Sequence, residues 1–225
     1  MTASRSTLLG LFTRKERWSL SGRGWLAAAL LFLSFGALAF FQIHPFLAIT
    51  KPVPSQFLVV EGWMPEYALH ACVTEFESHS YEKLFTTGGP TLGRGPTNVF
   101  NTMAHAGTCR LQALGLPSKD IQTVPALSSD RDRTYSSALA LRDWLRVNHS
   151  SVHAVNVMTL DVHARRTRLL YQKALGNRVK VGIISIPSQD YPANDWFHYS
   201  EGVKEVISEA GAYVYARFLF HPGDQ

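Results

Sequence analysis

The sequence predicts an α/β fold: a Rossmann-like three-layer sandwich with a mainly parallel sheet of about five strands, preceded by one transmembrane helix. Three observations predict it. An uninterrupted apolar run lies near the N-terminus. Beyond residue 55, short β-branched or aromatic runs alternate with helical patterns. The segments joining those runs are long enough for parallel crossovers, which need about a dozen residues or more.

The apolar run spans 25–43, from Trp25 to Ile43, and only Ser34, Gly36 and Gln42 interrupt it. At about 1.5 Å per residue it reaches roughly 28 Å, close to the hydrocarbon thickness of a bilayer. Arg5, Arg14, Lys15, Arg17 and Arg23 precede or border it against Glu16 alone, a net charge of +4 over 1–24. Cationic residues on that side predict a cytoplasmic tail, and hence an exported C-terminal domain. A cleavable leader would use Ala37-Leu38-Ala39 as its small-residue site. The apolar run continues through Phe40, Phe41 and Ile43, however, which favours a retained span. Residues 44–55 carry three prolines and no periodicity and read as an extended linker leading away from the membrane. The remaining 56–225 form one domain.

Charge excludes one class of partner. The chain carries +5 overall, but residues 25–225 hold 17 cations and 16 anions, so the folded part is nearly neutral. A domain that binds nucleic acid carries its basic excess in the fold, so no nucleic-acid partner is expected. Cys72 and Cys109 are the only cysteines, and they fall on unrelated helical faces, which predicts two unpaired thiols.

Strands are expected at 57–60, 84–87, 121–124, 152–159 and 179–186. Helices are expected at about 65–79, 97–114, 132–147, 162–175 and 197–219. In the last of these, Tyr213, Val214, Phe218 and Leu219 form an apolar stripe. It is expected to pack against the sheet, with contact to the membrane surface as the alternative.

Open parallel sheets bind ligands at the carboxyl ends of their strands, so the residues after each strand are the candidates. Glu61 and Gly62 follow the first strand, inside Glu61-Gly62-Trp63-Met64-Pro65. Gly88 and Gly89 follow the second, where small residues let backbone amides approach an anion. A further glycine-rich stretch is Leu92-Gly93-Arg94-Gly95-Pro96. After the third strand, Asp130-Arg131-Asp132-Arg133-Thr134 opens a helix. Arginine at a helix N-terminus opposes the dipole, which makes sense beside an anionic ligand or a carboxylate. After the fourth strand, His163 and Arg166 lie three residues apart on one helical face. Arg165 and Arg168 point elsewhere and are expected to be solvated. The sequence has no G-x-S-x-G elbow, no P-loop, no G-x-G-x-x-G and no zinc-ligand spacing. The cofactor is therefore unknown, with no metal or nucleotide fingerprint.

These strand-end residues resemble the SanA/ElyC/YdcF-like family, a bacterial domain of unknown function with an envelope-associated branch. The features shared are Gly88-Gly89 after an early strand, Thr134 opening a middle helix, and Thr159 through His163 to Arg166. The likeness covers roughly residues 56–186. It departs from the family at Arg133-Thr134-Tyr135-Ser136-Ser137-Ala138, where members commonly read Asn-Thr-x-Glu-Asn-Ala, and at Leu160, where they have serine. The resemblance implies a single-pass protein of the inner (cytoplasmic) membrane with a periplasmic domain, active in envelope integrity or surface-polymer metabolism. Two functions follow as expectations. One is an enzyme, a hydrolase or transferase, acting on an anionic small molecule or envelope glycan intermediate. His163 would be its acid or base, Glu61 a second acid–base group, and Arg166 and Arg133 charge clamps. Gly62, Gly88, Gly89 and Thr134 would complete the ligand contacts. The other is a non-catalytic module that binds such a ligand or an assembly partner. On the enzyme reading, Arg166→Ala is expected to remove function at little cost in stability.

Overall fold

The computed structural model describes residues 19–91, 102–126 and 132–222. Its contacts divide the chain into two units, Met1–Phe41 and Gln42–Gln225. The tail up to residue 18, the Leu92–Pro96 stretch, the expected helix start at 97–101 and the Asp130-Arg131 pair lie outside the described residues.

Helix α1 runs over Gly22–Leu47, 26 residues whose most apolar 18-residue stretch has a mean hydropathy of 2.2, long and apolar enough to cross a membrane. Its large side chains are bare, with Phe32, Leu31 and Phe35 each more than 70% exposed. At about 1.5 Å per residue it is roughly 39 Å long, longer than a bilayer's hydrocarbon core.

The helix corrects the expected boundaries. Its last turn, His44 to Leu47, is part of the folded unit, and His44 and Leu47 are buried there. The stretch after it is extended but is not a free linker. Lys51 pairs antiparallel with Ile183, donating its N–H to the Ile183 carbonyl at 2.7 Å and accepting in return at 3.1 Å. Asn156 holds Val53 by accepting from its N–H and donating to its carbonyl, both at 2.9 Å. Gly182 leaves the room for this, since a Cβ there would overlap the Asn156 Oδ1. The segment thus covers the open edge of the sheet, where unpaired backbone groups would otherwise face solvent.

Strands β1 (Phe57–Glu61), β2 (Lys83–Gly88), β3 (Ile121–Pro125), β4 (Ala154–Leu160) and β5 (Lys180–Ile186) form one parallel sheet, in the order β3-β2-β1-β4-β5. Each crosses over through a helix: α2 (Glu66–Ser78), α3 (Met103–Ala113), α4 (Arg133–Asn148) and α5 (Ala164–Leu175). Helix α6 (Ser200–Val214) follows β5 and ends in a π-turn, Tyr215–Leu219.

Strand alternation assigns the layers. Phe57 and Val59 face α4 and α5, packing with Phe85, Leu141, Tyr171 and Ile183. Leu58 and Val60 face α2 and α3, packing with Leu69, Cys72, Leu84 and Leu111. A third cluster joins the end of α1 to α6 through Leu47, Val162, Tyr191, Trp196 and Val206. Both cysteines are unpaired, Cys72 inside the second layer and Cys109 exposed.

Candidate functional site

The strand order reverses direction between β1 and β4, the switch point where open α/β sheets form their crevice. A cavity of about 290 Å³ opens there, at the carboxyl ends of β1, β2 and β4. Glu61 and Trp63 reach it from the end of β1. Thr87, Gly88 and Gly89 come from the end of β2, Arg133, Thr134 and Ser137 from the start of α4, and His163 and Arg166 from the start of α5. Sequence positions more than 100 residues apart therefore meet in one crevice.

Glu61 forms its floor, 3% exposed. The Thr159 hydroxyl, on the neighbouring strand, donates to Glu61 Oε2. Burial pushes the Glu61 carboxyl above the usual carboxylate range. The Thr159 hydrogen bond, the positive charges of His163 and Arg166 and a hydrogen bond from Trp63 oppose this without cancelling it. Trp63 also packs edge-on against His163, with ring centroids 5.0 Å apart.

Opposite Glu61 is a network absent from the sequence expectations. Glu209, on α6 and 5% exposed, binds Arg166 through two hydrogen bonds, from Nε at 2.6 Å and from Nη2 at 2.8 Å. The same carboxylate lies 3.0 Å from His163 Nδ1. Burial alone would raise the Glu209 pKa. Hydrogen bonds from His163 and Arg166, and their charges, outweigh it and hold the group down to about 2. Arg166 moves the opposite way: burial disfavours its charge, but Glu209 above all keeps it above its ordinary value. Two buried carboxyls beside His163 and Arg166 are thus driven apart, Glu61 at the cavity floor toward the acid form and Glu209 behind the two cations toward the anion.

This arrangement corrects the role expected of Arg166. Its guanidinium is already engaged by Glu209, and its side chain is only 19% exposed, so it is a partly buried ion-pair partner and not a solvent-facing clamp. Among the described residues, Arg133 has no carboxylate within ion-pair distance. It is exposed and lines the cavity. Asp132, at the N-cap of α4, makes no side-chain cap bond and sits in the left-handed region at φ 48°.

Gly62 is the second correction. It does not line the cavity. A Cβ there would overlap the Met103 carbonyl, and one at Gly107 would lie 2.6 Å from the Gly62 Cα, so the pair lets α3 pack backbone to backbone against the turn after β1. Arg110 fixes the same turn, donating to the carbonyls of Met64, at 2.8 Å, and Gly62. Gly88 is similarly tight, its absent Cβ 2.7 Å from Met103 Cβ. The carbonyls of Gly88 and Gly89 accept from Ala126 and Met103, which ties the glycine turn to the edges of the crevice.

Arg165 and Arg168, expected in solvent, are also held. The first donates to the Phe46 carbonyl and lies 3.9 Å over the Phe46 ring. The second donates to the Val181 carbonyl at 3.0 Å. Glu209 carried a signal that sequence reasoning passed over, a carboxylate on the inner face of an amphipathic helix, three residues after Val206 and one before Ala210.

A larger cavity, about 630 Å³, lies at the opposite edge of the sheet between the ends of α4 and α5. It carries Arg142, Arg146, His149 and Arg178 but no carboxyl. Cations at helix C-termini complement the dipole, which accounts for them without a ligand. The buried carboxyls with displaced pKa values lie instead with His163 and Arg166 at the carboxyl edge. Among the described residues no group of three His, Cys, Asp or Glu side chains is placed to hold a metal ion.

Fold and site together define a Rossmann-like α/β protein with a titratable crevice at its switch point. Comparison with protein-family models, with curated proteins and with solved structures returns no match.

Proposed function

We propose that the chain is a membrane-anchored envelope protein whose α/β domain is an acid–base enzyme, a hydrolase or transferase acting on an anionic or glycan-linked envelope substrate. The observation that carries this reading is Glu61. A buried carboxyl with a raised pKa, at the floor of a crevice and facing an imidazole, suits a general acid. In this reading Glu61 delivers a proton to the leaving group. His163, oriented by Glu209 and Trp63, takes one from the attacking water or hydroxyl. Arg133 binds the anionic group, and the hydroxyls of Thr134 and Ser137 complete the contacts.

The anchor in this reading is α1, and the basic tail before it keeps that end in the cytoplasm, with the domain in the periplasm. Membership of the SanA/ElyC/YdcF-like family belongs to the same proposal. It is supported by the way Gly88-Gly89, Thr134 and His163-x-x-Arg166 border one cavity.

The test uses the purified full chain in detergent, incubated with extracted phosphate- and glycan-linked envelope intermediates and followed by mass spectrometry. The native protein is expected to convert one class of intermediate. Glu61→Gln and His163→Asn should retain that intermediate on the protein and lose turnover. Retention of the same unconverted ligand by native protein and variants alike would make the domain a binding module.

A further inference from the structure

Helix α6 has a second apolar side. Val206, Ala210 and Tyr213 face the core. Ile207 and Val214, seven residues apart, lie within about 20° of one line at 100° per residue, roughly a quarter turn away from that face, and Phe218 follows them in the π-turn. They are not covered: Ile207 is 61% exposed, Phe218 64% and the adjacent Leu219 67%.

The stripe is continuous with the end of the apolar helix. Ile43, Leu47 and Ala48 pack in one cluster with Val203, Val206, Ala210 and Tyr213. Phe46 sets its ring 5.5 Å from that of Tyr213 and is itself 45% exposed. The last turn of α1 and the body of α6 therefore lie side by side, and the outer stripe begins where the apolar helix ends.

Its surroundings are cationic and aromatic. Arg165 lies over Phe46, and at 6.0 Å over Tyr213; Arg217 lies 5.6 Å over Phe218, and Lys173 5.5 Å from the Phe220 ring. The anions of α6 lie off the stripe: Glu201 and Glu205 are in its first two turns, Glu205 accepting from the Tyr191 hydroxyl at 3.0 Å, and Glu209 is buried. Apolar and aromatic side chains flanked by cations with long stems suit the headgroup–acyl boundary, where rings settle and cations reach for phosphate.

We propose that the domain rests on the bilayer surface through the stripe Ile207, Val214, Phe218 and Leu219, with Phe46 at its margin. The proposal rests on the reading of α1 as the membrane anchor. The end of α6 also borders the site, since Tyr215 and Ala216 line a second cavity of about 240 Å³ together with Arg133 and Arg166.

The test uses the full chain in liposomes, in a Cys109→Ser background, with a bimane fluorophore on one introduced cysteine at a time. The sites are Phe35→Cys in α1, Val214→Cys and Phe218→Cys on the stripe, and Ser150→Cys at the amino edge of the sheet. Cys72 is buried and stays unlabelled in the folded protein. Lipids brominated on their acyl chains are expected to quench the labels at 35, 214 and 218 and to leave 150 unchanged. Quenching at 35 with none at 214 and 218 would overturn the surface seat alone. No quenching at 35 would overturn the anchor reading itself. Labels at 214 and 218 that are shielded from water yet indifferent to bromolipid would mean that protein, such as a second copy, covers the stripe, and the proposal would fall. All four sites are exposed, so the cysteines remove no core packing.

Discussion

Replacing Glu209 by glutamine tests the network behind the site in quantitative terms. The carboxylate is held down to about 2 against an ordinary 4.5. At about 1.36 kcal/mol per unit, that is about 3 kcal/mol of stability at pH 7. The same figure follows from removing one partner of a buried ion pair, which costs about 3–5 kcal/mol because the remaining charge is stranded. The sign is fixed by the direction of the shift. A lowered carboxyl contributes its full stability above pH 4.5 and loses it as pH falls through 2. The difference between native and Glu209→Gln should therefore shrink to roughly half by pH 3 and fade further below. Thermal unfolding of the full chain in detergent, followed by circular dichroism, reads this directly. At about 2–4 °C per kcal/mol for a chain of this size, the melting temperature should drop by about 6–12 °C at pH 7. A loss under about 1 kcal/mol, or one that does not narrow between pH 6 and pH 3, would refute the argument that Glu209 is a charged, buried partner of Arg166 and His163.

Three further outcomes follow from the same structure. Because burial raises the Glu61 pKa, its stability contribution is present at low pH and is lost as pH rises through the raised value; Glu61→Gln should therefore match or exceed native stability at pH 8 in the same unfolding assay, while abolishing turnover. Gly62→Ala forces a Cβ into the Met103 carbonyl and should cost about 1–3 kcal/mol by chemical denaturation, with loss of the site following from displacement of α3. Iodoacetamide should alkylate Cys109 alone in the folded chain, because burial both hides the Cys72 thiol and pushes its pKa up; mass spectrometry should find two adducts only after denaturation.

Much of this was legible in the sequence, for reasons that separate local from distant information. Strands such as Phe57–Val60 and Val179–Ile186 announce themselves through β-branched runs buried on both faces, and the carboxyl-edge rule then points to Glu61, Gly88 and His163. The pairing of His163 with Arg166 is a spacing of three on one helix. What stayed hidden depends on partners far along the chain. Glu209 acts through Arg166, 43 positions away, and in sequence it resembles an interruption of an apolar face. Residues 50–53 read as a free linker because the groups that pin them, Asn156 and the Ile183 backbone, lie more than 100 positions later. Arg110 gave no sign that it would shape the turn after β1, since its carbonyl partners are 46 and 48 positions away.

The contact between Gly62 and Gly107 has a consequence for how variation in this protein will be read. A side chain at Gly62 would run into the Met103 carbonyl and one at Gly107 into the Gly62 Cα, so neither position accepts a larger residue without moving α3. A saturation scan scored by cell growth would mark both as intolerant, alongside Glu61 and His163, although neither glycine meets a substrate. A scan scored by protein abundance would separate them: variants at the two glycines would disappear from the cell, while conservative variants at Glu61 and His163 would accumulate as folded, inactive protein.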